Sequence, residues 1–286
     1  MPTSFAKPFA VKLILSAPVM MVLALAAAGP SGAAMKYPDF QAQWRNPTAN
    51  RGGNPWDPGK PMGLAQAAPL TPEYQAIFET SVKAQKAGSQ GYSRGSTCIL
   101  PGMPKMMNFA EPMEVLIRPK ITYFLPMQKP ARRIHTDGRE WPKGEPATFA
   151  GTSIGRWLDE DGDGRYDVLE VETRSFIGPR VFESTGLPLH GDNRTIVRER
   201  IYLDKNNRDL LHDEVTTIDH ALTRPWMVDR IYVRTSPPRW YEKNCHESNP
   251  HLRIGDEEYF LSADGKLMPV SKDQPPPDLS HFRSPH

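Results

Sequence analysis

The sequence predicts a mainly β protein in which antiparallel strands close into a lipocalin-like β-barrel, preceded by an N-terminal arm that carries one helix. First, residues 113–235 contain about eight short β-rich segments separated by turn signals, which is typical of a barrel or a sandwich. Second, the 30 prolines are too frequent for a helical bundle. Third, the strands do not alternate with helices as in a parallel sheet. Because eight antiparallel strands can enclose one small ligand, we prefer the barrel, with a β-sandwich as the alternative.

Residues 1–34 have the features of a secretory signal peptide. Lys7 and Lys12 supply positive charge, an apolar run covers residues 13–28, and small residues end at Ala34. We therefore predict a bacterial protein that is periplasmic or secreted, with a retained N-terminal anchor as the alternative. No later segment approaches the roughly 20 apolar residues that a membrane-spanning helix requires, so no transmembrane segment is predicted after cleavage.

Residues 35–96 form the predicted arm, which is rich in proline, glycine, asparagine and glutamine. Its one helix is expected to start after Thr71, a favourable N-cap residue, with Pro72 in the first helical position. An apolar stripe that begins at Tyr74 should pack on the main body, and Gly88 should end the helix.

The barrel domain is predicted to span residues 97–270, and a Pro-rich tail without regular structure follows at 271–286. The mature region contains two cysteines, Cys98 and Cys245. In an oxidising compartment an even number of cysteines favours a disulfide bond, which would join the start of the domain to its end. Two buried free thiols are the alternative.

The stretch DEDGDGRYDVLE, residues 159–170, has the ligand spacing of a calcium loop. Carboxylates occupy its first, third, fifth, ninth and twelfth positions, and Gly164 is sixth, where a sharp turn needs glycine. We predict a structural calcium ion, with the candidate metal-site residues Asp159, Asp161, Asp163, Arg165, Asp167 and Glu170. Arg165 is the one cation that offsets repulsion among the acidic groups. Both flanks resemble strands, so a solvated hairpin turn is the alternative, and Glu170 would point outward from the second strand.

Alternation in the segment RTIVRERIYL places Glu199 on an apolar face, between Val197 and Ile201. We therefore expect Glu199 to point into the barrel. A buried carboxyl group in a pocket is a candidate general acid or base. The alternatives are a structural ion pair with an inward arginine such as Arg133, or hydrogen bonds to a loop.

A second group of candidates lies in RRIHTDGREW, where His135 shares a strand face with Arg133, and Asp137 and Arg139 flank a turn. A histidine near a carboxylate is the usual minimum for proton transfer near neutral pH. His190, in the loop LPLHGDN, is expected at the mouth of the barrel. A plain Asp-Gly turn and a solvated loop histidine are the alternatives. The catalytic candidates are thus His135, Asp137, Glu199 and His190, and the substrate-binding candidates are Arg133, Arg139, Tyr123 and Trp226.

Several function classes can be set aside. The sequence lacks GxSxG, SxxK, HExxH and a glycine-rich phosphate loop, which weighs against acyl-enzyme hydrolases, zinc proteases and nucleotide-dependent enzymes. A net charge of +2, from 35 basic and 33 acidic residues, gives no polycationic signature for nucleic acid. Two functions remain: a lyase or isomerase that needs no nucleotide or redox cofactor and acts on an aromatic or terpenoid-like molecule, and a non-catalytic carrier of a hydrophobic small molecule. The inward carboxylate favours the enzyme, whereas a filled barrel would indicate a structural module.

Several motifs occur in order along the chain: YPDFQAQW, APLTPEYQAIFE, CILPGMPKMM, EPMEVL, RRIHTDGREWP, GTSIGRW, IVRERI and TRPW. Together they resemble a large group of exported bacterial proteins of unassigned activity, which show PDFSGVW, APLTPEY, CxPxGMPxxM, RRIYTDGRxHP, GxSVGxWEGDTLVVDT and a VxER strand. The resemblance covers most of the mature chain and implies an exported, β-rich fold without a particular reaction. The acidic loop replaces the short EGDT turn of the group, and His135 and Trp141 stand where tyrosine and histidine are usual.

Overall fold

The structure, a computed structural model, describes residues 36–49, 54–93, 98–127, 130–240, 250–255, 257–262 and 264–280. The predicted signal peptide and Cys245 lie outside these ranges, so signal cleavage and the disulfide bond of Cys98 remain predictions. Within the ranges, no helix combines the length and the apolar character needed to cross a membrane.

Nine strands of the described chain form one closed barrel in sequence order, and the last strand pairs with the first. The strands are β1 (Gln43–Arg45), β2 (Met113–Arg118), β3 (Ile121–Pro126), β4 (Arg132–His135), β5 (Thr152–Leu158), β6 (Val168–Arg174), β7 (Ile196–Leu203), β8 (Leu210–Ile218) and β9 (Trp226–Thr235). The predicted mainly β barrel is confirmed, and the sandwich alternative is not adopted.

One neighbouring pair departs from the antiparallel prediction. Strands β4 and β5 run parallel, with Ile134 opposite Ser153, whereas every other pair of neighbours in the barrel is antiparallel. A parallel pair needs a long crossover, and residues 136–151 provide it by returning the chain to the end where β4 began. The barrel is therefore mixed, and the antiparallel prediction is wrong for this one pair.

Strand β1 comes from the segment that the sequence analysis assigned to the arm. It closes the barrel because Trp44 lies opposite Met113 on β2 and opposite Arg234 on β9. The Trp44 side chain is fully buried, and its Nε1 donates to the carbonyl oxygen of Phe40 over 3.0 Å. The barrel thus begins well before residue 97.

The predicted helix of the arm is present as α1 (Pro72–Lys86). The Thr71 hydroxyl accepts a 3.4 Å hydrogen bond from the backbone N–H of Tyr74, as expected of an N-cap. Tyr74 and Phe78 are buried, which confirms that the apolar stripe packs on the body. The backbone N–H of Thr71 also donates to the carbonyl oxygen of Ala221 at 2.8 Å, so the start of α1 is tied to the loop between β8 and β9.

The interior of the barrel is occupied by protein side chains. Buried apolar residues from the strands belong to one cluster, including Trp44, Phe124, Ile134, Leu169, Val197, Ile201, Leu211, Val215 and Tyr232. Packing is tight at Gly155, where an added Cβ would lie 2.8 Å from Ile134 Cγ2 and 2.9 Å from the carbonyl oxygen of Glu170. This is the packing of a protein core rather than of an open cup for a ligand.

The chain after the barrel forms a separate three-stranded antiparallel sheet: β10 (His251–Ile254), β11 (Glu257–Leu261) and β12 (Leu267–Pro269). Tyr259 of β11 is buried, and its hydroxyl donates to the carbonyl oxygen of Pro275 over 3.1 Å. The first part of the Pro-rich tail therefore contacts this sheet.

Candidate functional site

Glu199 points into the barrel, as the alternation of its strand predicts, and is only 2% exposed. The Arg132 guanidinium bonds to both of its carboxylate oxygens, through Nη1 to Oε1 at 2.7 Å and through Nη2 to Oε2. Arg132 Nη2 also donates to Thr173 Oγ1 at 3.0 Å, and the hydroxyls of Thr173 and Ser153 are 2.8 Å apart. Residues from β4, β5, β6 and β7 thus form one buried hydrogen-bonded cluster.

The cluster corrects the partner that the sequence analysis suggested for Glu199. Arg133 lies on the exposed outer face of β4, and its neighbour Arg132 is the inward arginine. Burial lowers the pKa of Arg132, but the charge of Glu199 and the hydrogen bonds to it, helped by Asp213 and Tyr232, bring that pKa above its usual value. The pair is therefore ionic, in agreement with the structural alternative for Glu199.

A second group of buried ionisable side chains, which the sequence analysis missed, lies beside the first. Asp213 on β8 and Arg230 on β9 are paired in the sheet, and Asp213 is 0% exposed. Arg230 donates through Nη2 to Asn108 Oδ1 at 2.7 Å and through Nη1 to the carbonyl oxygen of Trp56. Neither carboxylate oxygen of Asp213 has a hydrogen-bond partner among the described residues. Burial raises the pKa of Asp213 well above its usual range, the charge of Glu199 adds to the rise, and Arg132 and Arg230 oppose it.

The predicted catalytic residues are not brought together. His135 is on the outer face of β4, on the opposite side of the barrel wall from Glu199. Burial and the charge of Arg139 lower the pKa of His135. Asp137 is committed to Arg139, whose Nη2 lies 2.8 Å from Asp137 Oδ2, and hydrogen bonds from Arg139 lower the pKa of Asp137 to about 2. His190 lies elsewhere, in the loop before β7. A shared proton-transfer site therefore does not form from these four residues.

The predicted substrate-binding residues are also dispersed. Tyr123 is on the outer face of β3, whereas Trp226 is part of the core, where its ring packs edge-on against Phe182 at 5.1 Å between centroids. Arg133 is exposed on β4. Of the four candidates, Arg139 alone lines the large surface groove described below.

The acidic loop has part of the geometry of a cation site. Coordinating oxygens of Asp159, Asp161 and Asp167 lie within 4.8 Å of one another. Asp159 also accepts hydrogen bonds from three backbone N–H groups of the loop, at 2.8–3.1 Å, which shape the turn. Glu170, by contrast, points outward from β6 and pairs with Arg156 and Arg200. Three aspartates of the predicted ligand set therefore lie close together, whereas Glu170, the twelfth residue of the loop, lies apart from them with its arginine partners.

A groove of about 650 Å³ lies on the outer face of the barrel. Its floor is formed by β5 to β9, and the loop that contains Arg139 and Trp141 forms one side. Arg156 is joined to Glu170, and Arg198 Nε donates to Glu172 at 2.8 Å, so charges of both signs alternate across the floor. The groove thus combines arginines with the aromatic side chain of Trp141.

The fold and these features define a closed mixed barrel with an ionic core and a polar groove outside it. The chain matches no family model, no curated protein and no solved structure. Its function must therefore be inferred from geometry.

We predict that the Arg132–Glu199 pair behaves as a buried ion pair. Arg132→Met should lower the free energy of unfolding by about 3–5 kcal/mol, because it leaves the Glu199 carboxylate buried without its cation. The double variant Arg132→Met/Glu199→Met should recover much of the loss, since no unpaired charge remains. Urea unfolding followed by tryptophan fluorescence measures these changes.

The matched control is Arg156→Met, which breaks an arginine–glutamate pair of similar geometry at the surface. The Arg156 side chain is 73% exposed, so this change should cost about 1 kcal/mol or less. Equal losses for Arg132→Met and Arg156→Met would contradict the structural role of the buried pair.

Proposed function

We propose that this chain is a small-molecule-binding barrel whose ligand occupies the outer groove and not the barrel interior. A volume of about 650 Å³ is within the range of about 300–1,000 Å³ that small-molecule sites usually have. The barrel interior does not support a comparable binding site, because its polar groups are buried among packed apolar side chains.

The groove favours a flat apolar molecule that carries an acidic group. Among the described residues, Arg198 bonds only to Glu172, and it does so through its Nε. Both terminal amino groups of Arg198 are therefore available to an anion. Trp141 lines the groove and is half-buried, and the Arg174 guanidinium covers one face of its ring at 4.9 Å from the centroid. Met227 contributes a thioether side chain, and the residue is 57% exposed. The observation that carries the proposal is the presence of Trp141 and the open end of Arg198 in one groove.

The lyase or isomerase alternative has no comparable support. An acid–base enzyme needs a histidine and a carboxylate, or an equivalent pair, within hydrogen-bond reach of one ligand atom. The described lining of the groove contains no histidine, and its outward glutamates contact arginines. Binding without turnover is therefore the function we propose.

We predict that the groove binds anilinonaphthalene sulfonate, a fluorescent aromatic anion. Wild-type protein should enhance the fluorescence of the dye saturably at equimolar stoichiometry. Trp141→Ala and Arg198→Gln should each weaken binding by about tenfold, which corresponds to about 1.4 kcal/mol. The tryptophan loses stacking area, and the arginine loses the charge that pairs with the sulfonate.

Arg133→Gln is the control for the dye experiment, because it removes an exposed arginine on β4 that does not line the groove. It should leave the affinity unchanged. Binding that is the same in wild type, Trp141→Ala and Arg198→Gln would place the dye elsewhere and refute the groove as its site.

We also propose that the acidic loop binds a structural calcium ion through Asp159, Asp161 and Asp167. Calcium should raise the melting temperature relative to a calcium-selective chelator, because an ion that binds only the folded state stabilises it. Asp161→Asn should abolish the rise. Asp204 lies in another turn, and its carboxylate also accepts hydrogen bonds from backbone N–H groups. Asp204→Asn should preserve the rise in melting temperature. Identical melting of the wild type with and without calcium would remove the ion from the proposal.

Export is the remaining part of the proposed function. It is supported by the charged and apolar pattern of residues 1–34 and by the pairable cysteines Cys98 and Cys245. Protein recovered from the periplasm of an expressing bacterium should begin at or near Met35. Its intact mass before reduction should be lower than its mass after reduction by two hydrogen atoms, because a disulfide bond lacks the hydrogens of the two thiols. A full-length N-terminus, or a mass that reduction leaves unchanged, would contradict the corresponding prediction.

A further inference from the structure

Two loops at one end of the barrel bring together two histidines and an aspartate. His190 and Asp192 lie in the loop that leads into β7, and His220 lies in the loop between β8 and β9. His190 Nδ1 accepts a 3.1 Å hydrogen bond from the backbone N–H of Asp192 and lies 3.0 Å from Asp192 Oδ1, so its Nε2 is the nitrogen without this bond. His220 Nδ1 is 2.6 Å from Asp192 Oδ2. One coordinating atom of each residue lies within 4.8 Å of the other two.

The two loops that carry the histidines are joined by Asp219, a buried residue that follows β8 and precedes His220 in the chain. Buried Asp219 accepts a hydrogen bond from the backbone N–H of His190 at 2.8 Å and another from the N–H of Ala221 at 2.9 Å. It therefore fixes the first histidine directly and the second through its neighbour in the chain. Asp219 Oδ2 also accepts from the buried hydroxyl of Thr195 at 2.5 Å, so its carboxylate is fully engaged away from the cluster.

Neighbouring groups also restrain the side chains of the cluster. The Tyr74 ring of α1 packs against the His190 ring at 5.1 Å between centroids, which limits rotation of the imidazole. Asp192 Oδ1 accepts a 3.0 Å bond from the N–H of Arg194, which orients the carboxylate. These contacts restrain the three side chains before a ligand binds, as the supporting groups of a ligand site do.

We propose that His190, Asp192 and His220 bind a divalent transition-metal ion of the zinc class. Imidazole nitrogens suit zinc and its neighbours, whereas calcium and magnesium prefer oxygen ligands, so the donor set distinguishes this site from the acidic loop. Zinc–nitrogen and zinc–oxygen bonds are about 2.0–2.2 Å long. At that bond length the ligand atoms of a tetrahedral ion lie about 3.3–3.6 Å apart. An ion would therefore separate the pairs that are now 2.6 and 3.0 Å apart and replace the direct contacts of Asp192 with the two histidines.

Three protein ligands leave at least one position of a tetrahedral ion open. Zinc sites with four protein ligands are structural, whereas sites with three keep a position for water or another small ligand. The His220 side chain is 62% exposed, so the open position faces solvent. The site is therefore accessible to a small anion or a carbonyl group of an external molecule, and it is separate from the outer groove.

The test is isothermal titration calorimetry of zinc chloride into the full mature protein, without an affinity tag and after treatment with a chelator. Wild type should bind one zinc ion. His190→Ala, Asp192→Asn and His220→Ala should each weaken the affinity by more than about 100-fold, since even the loss of a group that only hydrogen-bonds to a zinc ligand costs about 10–100-fold. His220 is the decisive position, because its exposed side chain can be removed without disturbing the core.

The controls separate this site from other histidines and from the acidic loop. His135→Ala removes a histidine outside the cluster and should leave zinc binding unchanged. Asp161→Asn should also leave it unchanged, and excess calcium should not compete with zinc. Absence of zinc binding in wild type, or equal affinity in wild type, folded His220→Ala and His190→Ala, would overturn the proposal.

Discussion

The Arg132–Glu199 ion pair is the constraint on which the barrel interior depends. The two residues come from β4 and β7, which are not adjacent, and the bond crosses the interior while Ser153 and Thr173 complete the cluster from the strands between them. A shift of either strand by one residue would turn its charge outward and leave the other charge buried. Buried pairs add little net stability over apolar packing, so this pair contributes mainly by selecting one register.

The charged core also explains why the sites that we propose lie outside the barrel interior. Each inward polar group occupies space that a ligand would need, and Arg230 and Tyr232 use their hydrogen bonds to hold the connecting segments near Trp56 and Met107. The barrel is therefore a rigid frame. Its outer wall and its loops remain free to carry the groove and the histidine cluster, as connecting segments on a stable scaffold often do.

Much of the fold was predictable because short-range patterns specify it. Alternation predicted the strands and the inward direction of Glu199, and the Thr71 N-cap signal predicted α1. The same alternation could have identified Asp213, which lies between Leu211 and Val215, and Arg132, which shares its face with Ile134. Strand β1 was too short to show a period, and the parallel pairing of β4 with β5 depends on a crossover without a local signature.

The candidate sites were harder to predict because they combine distant segments. His190 was identified, but its neighbour His220 comes from a later loop, which the pairing of β7 with β8 brings beside it. The groove joins the loop at Trp141 to five strands, which no local pattern reveals. The acidic loop was recognisable from its spacing. The Glu170 side chain points outward from β6, as alternation along the strand predicted, and it pairs with Arg156 and Arg200.

The position of β1 between β2 and β9 has a consequence for biosynthesis. Gln43 meets Thr235, so the final seam joins the two ends of the nine-stranded sheet. A chain synthesised from its N-terminus carries an open sheet until its ninth strand emerges. Both edges of that sheet have unpaired backbone N–H and C=O groups, which can pair with another chain. Closure must then overcome the entropy of bringing together ends that lie far apart in sequence. Because of this seam, the first strand and the last strand depend on each other for their hydrogen-bond partners.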